Sequence, residues 1–280
     1  MSKKILIIGA SGFVGNYLFN VLKEKKNLDV FGTFKNSEIK GLIKFDYSDN
    51  KNFKVIEQIK PDIIIWSAGE KNLKKTETNL PKKLKENLNP VKTLLEQKKY
   101  NRNLKIIFMS SDYVFDGEKG DYTVSDIKSP ESFYGISKLM TEEYIISNYN
   151  NYNIIRAGAI IGKESIFINW LVKSLKINVK IDLYDNLFSP TPIVNLCNCI
   201  EDIILQKYDE RIIHVNGSEK LSRYDLGVSL AKLLNSKNKL IKKSYKESEL
   251  KFFKDLSLIS SFRSERDINI NDYLYKLLKW

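Results

Sequence analysis

Short apolar runs rich in β-branched residues alternate along the chain with longer stretches whose apolar positions recur at helical spacing. The runs predict six strands, most of them apolar on both faces, at residues 5–8, 30–34, 63–66, 104–108, 154–155 and 212–215. The longer stretches predict helices near residues 14–26, 53–59, 81–98, 134–149, 195–206 and 222–234. Repeated strand and helix predicts an α/β fold with a doubly wound parallel sheet, covered by helices on both faces.

Three glycines follow the first strand at the spacing G-x-x-G-x-x-G, within the segment ILIIGASGFVG. This spacing allows a tight turn, a close approach of a pyrophosphate to the backbone, and close packing of the next helix on the sheet. A tight turn without a ligand is the alternative, but the strand before and the helix after supply the context of a dinucleotide site on a Rossmann-like fold. The predicted cofactor-binding residues here are Gly9, Ser11, Gly12, Phe13, Val14 and Gly15.

The end of the second strand bears on which dinucleotide binds. An acidic residue there would bind a ribose 2′-hydroxyl, whereas a basic one accommodates a 2′-phosphate. This strand ends in Thr-Phe-Lys, and Lys35 therefore favours NADPH, with NADH left open. Asp46 is placed to meet the adenine edge, although an ordinary turn aspartate is the alternative. After the next strand, Ser67, Ala68 and Gly69 leave room for a cofactor at the sheet edge.

A tyrosine and a lysine four residues apart begin the helix predicted near residue 134. Tyr134 and Lys138 share one helix face, and a neighbouring ammonium favours the ionised phenol and lowers its pKa, which makes proton exchange with a carbonyl or hydroxyl feasible. Upstream, the buried strand at 104–108 turns abruptly polar in the segment MSSDYVFDGEKG. Ligands of such sheets bind at the carboxyl ends of the strands, so this segment is predicted to face a substrate.

Composition restricts the partners. The 280 residues are 42% hydrophobic and can bury a sizeable core. The net charge of +12 is spread over scattered lysines without a block of five, which disfavours a nucleic-acid partner and favours phosphate-bearing small molecules. No segment approaches the ~20 apolar residues of a membrane span, so we expect a cytoplasmic protein with no membrane partner. Cys197 and Cys199 suggest neither a disulfide framework nor a metal site.

Taken together, these motifs resemble those of the extended short-chain dehydrogenases/reductases, and among them the dTDP-4-dehydrorhamnose reductase family. The segments SSDYVFDG (110–117), YGISKL (134–139), DNLFSPTP (185–192) and NGSEKLSRYDLG (216–227) follow one another in the order and spacing of that family. The resemblance covers almost the whole chain. Strand and helix alternate most densely in the first 160 residues, which predicts a domain that binds NADP(H) over residues 1–160 and a small C-terminal lobe over residues 161–280, mainly for substrate, with returns to the main sheet.

The resemblance also implies roles for individual residues. Ser111 matches the residue that hydrogen-bonds the substrate carbonyl, Tyr134 the proton donor, and Lys138 the residue that binds the nicotinamide ribose and tunes the tyrosine. Asn87 matches an asparagine that supports the site. The residues implied to line or approach the sugar pocket are Ser111, Asp112, Tyr113, Pro190 and Thr191.

The implied activity is the NAD(P)H-dependent reduction of a 4-keto nucleotide-linked deoxysugar in the synthesis of surface polysaccharide sugars. The partner is then the nucleotide-linked sugar, and a homodimer is one option for the assembly. The family pattern Arg-Thr-Ser-Trp after the catalytic helix reads Arg-Ala-Gly-Ala here, from Arg156 to Ala159. Loss of the tryptophan opens the pocket, so the sugar and the nucleotide stay undetermined.

Two other functions on this fold, epimerase and regulatory subunit, remain as alternatives, and a third, dehydratase, is disfavoured. Dehydratases carry a second acid after the aspartate, where this chain has Tyr113. Epimerases generally present an acid at the end of the second strand, where this chain has Lys35. A regulatory subunit would bind NADP(H) without turnover, and the intact Ser111, Tyr134 and Lys138 favour an enzyme over it.

Overall fold

The computed structural model describes residues 2–36, 38–69, 79–97, 103–177, 179–248 and 253–279. Its strands, in chain order, are β1 (Lys3–Ile8), β2 (Leu28–Phe34), β3 (Ile43–Lys44), β4 (Ile63–Trp66), β5 (Lys105–Met109), β6 (Tyr152–Ala157), β7 (Ile160–Ile161), β8 (Ile181–Tyr184), β9 (Leu187–Phe188), β10 (Thr191–Pro192), β11 (Ile212–Val215), β12 (Leu221–Ser222) and β13 (Leu240–Lys243). Its helices are α1 (Phe13–Lys23), α2 (Lys54–Ile59), α3 (Leu80–Glu96), α4 (Phe133–Asn148), α5 (Ile166–Leu175), α6 (Ile193–Ile204), α7 (Arg223–Leu233) and α8 (Ile270–Lys279).

Seven strands form the central sheet in the order β11-β6-β5-β4-β1-β2-β3. The pairings of β1 with β2 and β4, and of β5 with β4 and β6, are parallel. Residues 5–8 of β1 and 63–66 of β4 are all buried, and all but Trp66 are isoleucine or leucine, because helices cover both faces of a parallel sheet. The order places β1 and β4 side by side, on either side of the reversal in strand order where such sheets bind ligands. The predicted doubly wound α/β fold is confirmed.

Each predicted strand and helix corresponds to an observed one, with boundaries shifted by a few residues. The last residue of the helix predicted near 81–98, Lys98, lies outside the described residues. The strand predicted at 154–155 is longer, because β6 also buries Asn153 and Arg156. These polar side chains interrupt the apolar run, but each has a buried or partly buried partner. Helices α5 and α8, strands β8 and β13, and the two-residue strands were not predicted.

The chain divides into two compact units. The first comprises residues 1–114, 130–156 and 200–213, and the second comprises residues 115–129, 157–199 and 214–280. The first therefore receives a return segment from beyond residue 160, and the second takes the loop that follows β5. The division into domains at residue 160 stays a prediction. Each compact unit contains segments from both sides of that residue in the sequence.

Each unit has its own apolar core. In the first unit, Trp66, Phe108 and Ile154 pack with side chains of α2, α3 and α4 beneath the sheet. In the second unit, side chains of α5, α7 and α8 pack around Phe188 and Leu183. Three two-stranded ladders, β10 with β7, β12 with β9 and β13 with β8, complete the second unit.

Three features concern the class of protein rather than the candidate site. Within the described ranges, no helix combines the length and the hydropathy needed to cross a bilayer. The same residues contain no group of three or more histidine, cysteine or acidic side chains arranged to hold a metal ion. Cys197 and Cys199 are both buried on α6.

Candidate active site

The turn between β1 and α1 is built for close packing. Gly9 has a φ of +92°, and a Cβ at this position would lie 2.8 Å from the backbone nitrogen of Ala68. A Cβ at Gly15 would lie 2.2 Å from the Gly9 carbonyl oxygen. Only glycine fits at these two positions, so the first turn of α1 lies directly against the end of β1.

Two neighbouring strands hold this turn in place. The Gly9 N–H donates to Thr33 Oγ1 at 3.1 Å, and the Ser11 N–H donates to the Thr33 carbonyl oxygen at 3.2 Å. From β4, Ser67 Oγ donates to the Ile8 carbonyl oxygen at 2.9 Å. Thr33 was not predicted as a site residue, although a buried threonine at the end of an apolar strand is a signal for such a contact.

The beginning of α1 suits a pyrophosphate. Gly12 is the N-cap and supplies no side-chain hydrogen bond, and the first turn contains no acidic residue. Backbone N–H groups at a helix N-terminus and the helix dipole favour an anion. Ser11 and Gly12 are exposed, while Phe13 and Val14 are partly buried. These residues therefore fit the diphosphate of a dinucleotide, and their binding of one stays a prediction.

The predicted ribose-phosphate and adenine residues form an ion pair. Lys35 Nζ lies 3.0 Å from Asp46 Oδ1 and 4.6 Å from the centroid of the Tyr47 ring. Burial alone would raise the pKa of Asp46, but hydrogen bonds from Ser48 and Lys35 outweigh it and hold the pKa below its usual value. Both groups are partly exposed. A cation thus lies at the end of β2, with a carboxylate directly beside it.

The three predicted catalytic residues belong to the first unit and lie together at the end of β5. Lys138 Nζ donates to the Met109 carbonyl oxygen at 2.8 Å and lies 5.9 Å from the centroid of the Tyr134 ring. Ser111 Oγ donates to Asp112 Oδ1 at 2.8 Å, and the Ser111 hydroxyl acts on the pKa of the Tyr134 phenol. The structure therefore brings a hydroxyl, a phenol and an ammonium to one place.

The pKa of Tyr134 corrects the expectation drawn from its spacing with Lys138. Burial of the phenol and the nearby Asp112 carboxylate raise this pKa well above its usual value, and the hydrogen bond with Ser111 opposes them only in part. The expected lowering by Lys138 was wrong for this structure, because Nζ is directed at the Met109 carbonyl. Tyr134 is therefore a neutral phenol at neutral pH.

Packing at the start of α4 sets the position of Tyr134. Ser132 caps the helix by accepting a hydrogen bond from the Gly135 N–H at 3.0 Å. A Cβ at Gly135 would lie 2.0 Å from the Tyr113 carbonyl oxygen, so glycine allows the helix to approach the end of β5. The Tyr113 and Tyr134 rings meet edge to face at 5.7 Å. Gly135 was not predicted, although a glycine beside the tyrosine, inside a helix, is a signal for close approach.

Helix α3 contributes a buried amide to the same region. Asn87 Nδ2 donates to Ser137 Oγ at 2.9 Å, whereas Asn87 Oδ1 has no hydrogen-bond partner among the described residues. A Cβ at Gly69 would lie 2.7 Å from that oxygen and 3.7 Å from Lys138 Nζ. Gly69 thus leaves space between two polar groups, which fits the predicted approach of a cofactor.

The predicted substrate residues of the second unit are held by hydrogen bonds within that unit. Thr191 has no exposed surface, and its Oγ1 donates to the Val215 carbonyl oxygen at 3.2 Å. The Pro190 carbonyl oxygen accepts from the Gly217 N–H at 2.8 Å. These bonds fix the shape of the segment. Contact of Pro190 and Thr191 with a sugar stays a prediction.

Comparisons with known proteins identify one family and two kinds of similar protein. Residues 3–251 match the family model described as the RmlD substrate binding domain. The chain is 22% identical over 244 residues to methionine adenosyltransferase 2 subunit beta of Danio rerio, covering 83% of this chain and 74% of that protein. It is 26% identical over 243 residues to dTDP-4-dehydrorhamnose reductase of Aggregatibacter actinomycetemcomitans, covering 81% of this chain and 78% of that protein.

Two solved structures share the fold over almost the whole chain. A hypothetical dTDP-4-dehydrorhamnose reductase from Sulfolobus tokodaii is 29% identical with a TM-score of 0.85, covering 96% of this chain and 98% of that one. A dTDP-4-dehydrorhamnose reductase from Bacillus anthracis, solved in complex with NADP, is 20% identical with a TM-score of 0.86, covering 100% and 99%.

Proposed function

The chain belongs to the RmlD substrate binding domain family, and on that premise we propose that it is an oxidoreductase that reduces the 4-keto group of a nucleotide-linked deoxysugar with NADPH. The observation that carries the proposal is the grouping of the Ser111 hydroxyl, the Tyr134 phenol and the Lys138 ammonium at the end of β5, with Lys138 Nζ 5.9 Å from the centroid of the Tyr134 ring. A protein that only binds a dinucleotide has no need of this arrangement. The similarity to proteins named as reductases supports the same chemistry.

Each group has a role in reducing a carbonyl. NADPH, when bound, supplies the hydride. Tyr134 donates its proton to the carbonyl oxygen, and its raised pKa keeps the phenol protonated and ready for this step. Ser111 turns its hydroxyl from Asp112 to the carbonyl oxygen and stabilises the negative charge that grows there. Lys138, held by the Met109 carbonyl beside the phenol, would bind the nicotinamide ribose of the cofactor.

NADPH is the proposed cofactor because of the charge at the end of β2. The Lys35 ammonium offers a charge-assisted hydrogen bond to a 2′-phosphate, and no carboxylate replaces it at the end of this strand. Asp46, in its ion pair with Lys35, is the proposed neighbour of the adenine edge. The NADP complex of the reductase from Bacillus anthracis supports this preference.

Lys35→Ala is expected to weaken NADPH binding by about 10- to 100-fold, because it removes a hydrogen bond to the charged 2′-phosphate. The effect has two parts, because the change removes the cation and leaves Asp46 without its partner, facing the 2′-phosphate. Binding of NADH should change by no more than about twofold. Titration of reduced-nicotinamide fluorescence measures both dissociation constants.

The exposed Lys44, in the neighbouring strand β3, is the matched control. Lys44→Ala removes the same charge from the same edge of the sheet, and we expect both dissociation constants to be unchanged. Equal weakening of NADPH and NADH by Lys35→Ala would contradict the proposed preference for NADPH.

The experiment that tests the function follows the oxidation of NADPH against a panel of 4-keto-6-deoxy sugars linked to dTDP, UDP or GDP. We expect turnover with at least one member and a hydroxyl at C4 of the product. The panel also identifies the sugar, which the replacement of the family tryptophan by Ala159 leaves open. NADPH binding without turnover across the panel would contradict the proposal and favour a binding role on the same fold.

A further inference from the structure

A fully buried ion pair lies next to the proposed catalytic groups but contains none of them. Glu142 follows Tyr134 and Lys138 on α4 at intervals of four residues, so the three side chains share one face of the helix. Arg156 of β6 donates to this carboxylate from Nε at 3.1 and 3.2 Å and from Nη2 at 2.7 Å. Neither side chain has any exposed surface.

A third residue joins the pair to the end of β5. Ser110 Oγ donates to Glu142 Oε1, the same oxygen that accepts from Arg156 Nε. The Ser110 N–H donates to the Ile155 carbonyl oxygen at 2.7 Å, which extends the pairing of β5 with β6 by one residue. Ser110 is thus fixed at its backbone by β6 and at its side chain by α4.

We propose that Ser110, Glu142 and Arg156 act as a positioning clamp, which holds the end of β5 against α4 so that Ser111 and Lys138 meet Tyr134. The helix reaches the strand end twice, one turn apart. Lys138 Nζ binds the Met109 carbonyl oxygen at 2.8 Å, and Glu142 binds the next residue, Ser110. Ser110 therefore lies in the chain between Met109, whose carbonyl binds Lys138, and Ser111, the proposed catalytic hydroxyl.

Energetics favour a positioning role over simple stabilisation. A buried ion pair gains little over well-packed apolar residues of similar size, because both charges lose their hydration. What it adds is direction, since the fork of Arg156 and the hydroxyl of Ser110 fix both carboxylate oxygens. Catalysis is sensitive to such placement, and a displacement of about 1 Å at a reacting group can cost on the order of 100-fold in rate.

The test removes only the link to the strand. Ser110→Ala deletes one hydroxyl and leaves the ion pair in place. Thr141→Val is the matched control, because Thr141 is also buried on α4 and donates its hydroxyl to the Ser137 carbonyl oxygen at 2.7 Å, within the helix. Both variants lose one buried hydrogen bond, and the melting temperature of each should stay within about 10 °C of the wild type.

The first measurement is hydrogen exchange of the backbone amides in the whole chain, which needs no substrate. In Ser110→Ala, the amides of residues 110–112 should exchange at least about tenfold faster than in the wild type, whereas Thr141→Val should leave them unchanged. Exchange at residues 110–112 that is the same in both variants would overturn the clamp.

The second measurement, which rests on the proposed function, is the separate effect on kcat and on KM. Ser110→Ala should lower kcat by about 10- to 100-fold with the KM for NADPH within about twofold. Thr141→Val should move neither. If the wild type showed no turnover while the amides of Ser110→Ala still exchanged faster, the proposed function would be contradicted and the clamp supported.

Discussion

Tyr134→Phe is expected to lower kcat by about 10²- to 10⁴-fold while leaving the dissociation constant of NADPH within about twofold of the wild type. The variant keeps the aromatic ring, and with it the edge-to-face contact with Tyr113 at 5.7 Å. It loses only the hydroxyl that we propose as the proton donor. The reduction then has no acid beside the carbonyl oxygen, whereas the cofactor residues are untouched.

The control makes the same chemical change on the same helix. Tyr144 lies near the other end of α4, and its hydroxyl donates to Glu96 Oε1 at 3.3 Å on the surface. Tyr144→Phe should leave kcat and NADPH binding unchanged. Steady-state kinetics and fluorescence titration measure the two effects. If Tyr134→Phe kept more than about a tenth of the wild-type kcat, another group would be the proton donor. If it lost NADPH binding instead, the site would be misplaced.

The sheet could be predicted from the sequence because its strands are buried on both faces. Under that constraint a strand is a run of β-branched and other apolar residues, and Ile5–Ile8 of β1 and Ile63–Ile65 of β4 follow this pattern. The glycine turn was equally predictable, since the close approaches at Gly9 and Gly15 exclude any side chain. Both features depend on neighbours in the chain and on simple steric limits.

The proposed catalytic groups were predicted as a set, but their contacts were not. Spacing places Tyr134 and Lys138 on one helix face, yet it does not tell where the ammonium points. In the structure it is bound to the Met109 carbonyl, a contact across 29 residues, and burial then sets the pKa of the phenol. Burial depends on how β5 and α4 pack. The expected direction of the shift was wrong for that reason.

Polar residues inside buried elements were the hardest to interpret. Arg156 ended the predicted strand early because an isolated charge argues against a buried position. Its partner Glu142 is 14 residues away on a different element, and only the packed structure brings the two within 2.7 Å. Asn87 is a similar case, because its hydrogen bond to Ser137 spans 50 residues. Burying such a polar group costs free energy, and the partner that offsets this cost is distant in the sequence. Local sequence therefore does not predict these pairs.

Arg156→Met is expected to lower the free energy of unfolding by about 3 to 5 kcal/mol, because it leaves the Glu142 carboxylate buried without its counter-charge. Methionine fills much of the same space, so the loss is mainly electrostatic. Urea denaturation followed by circular dichroism measures it. Arg211→Met is the matched control, since Arg211 is exposed and lies over the Tyr152 ring at 5.4 Å. We expect it to cost no more than about 1 kcal/mol.

A double variant distinguishes the unpaired charge from the loss of packing. Glu142→Leu combined with Arg156→Met removes both charges, so it should unfold at a higher urea concentration than Arg156→Met alone. An equal or larger loss in the double variant would mean that the shapes of the two side chains, rather than their charges, hold this part of the core. Recovered stability with a low kcat would separate the structural task of the pair from its positioning task. Apolar side chains can fill the space between β6 and α4, but they cannot accept the hydrogen bond of Ser110.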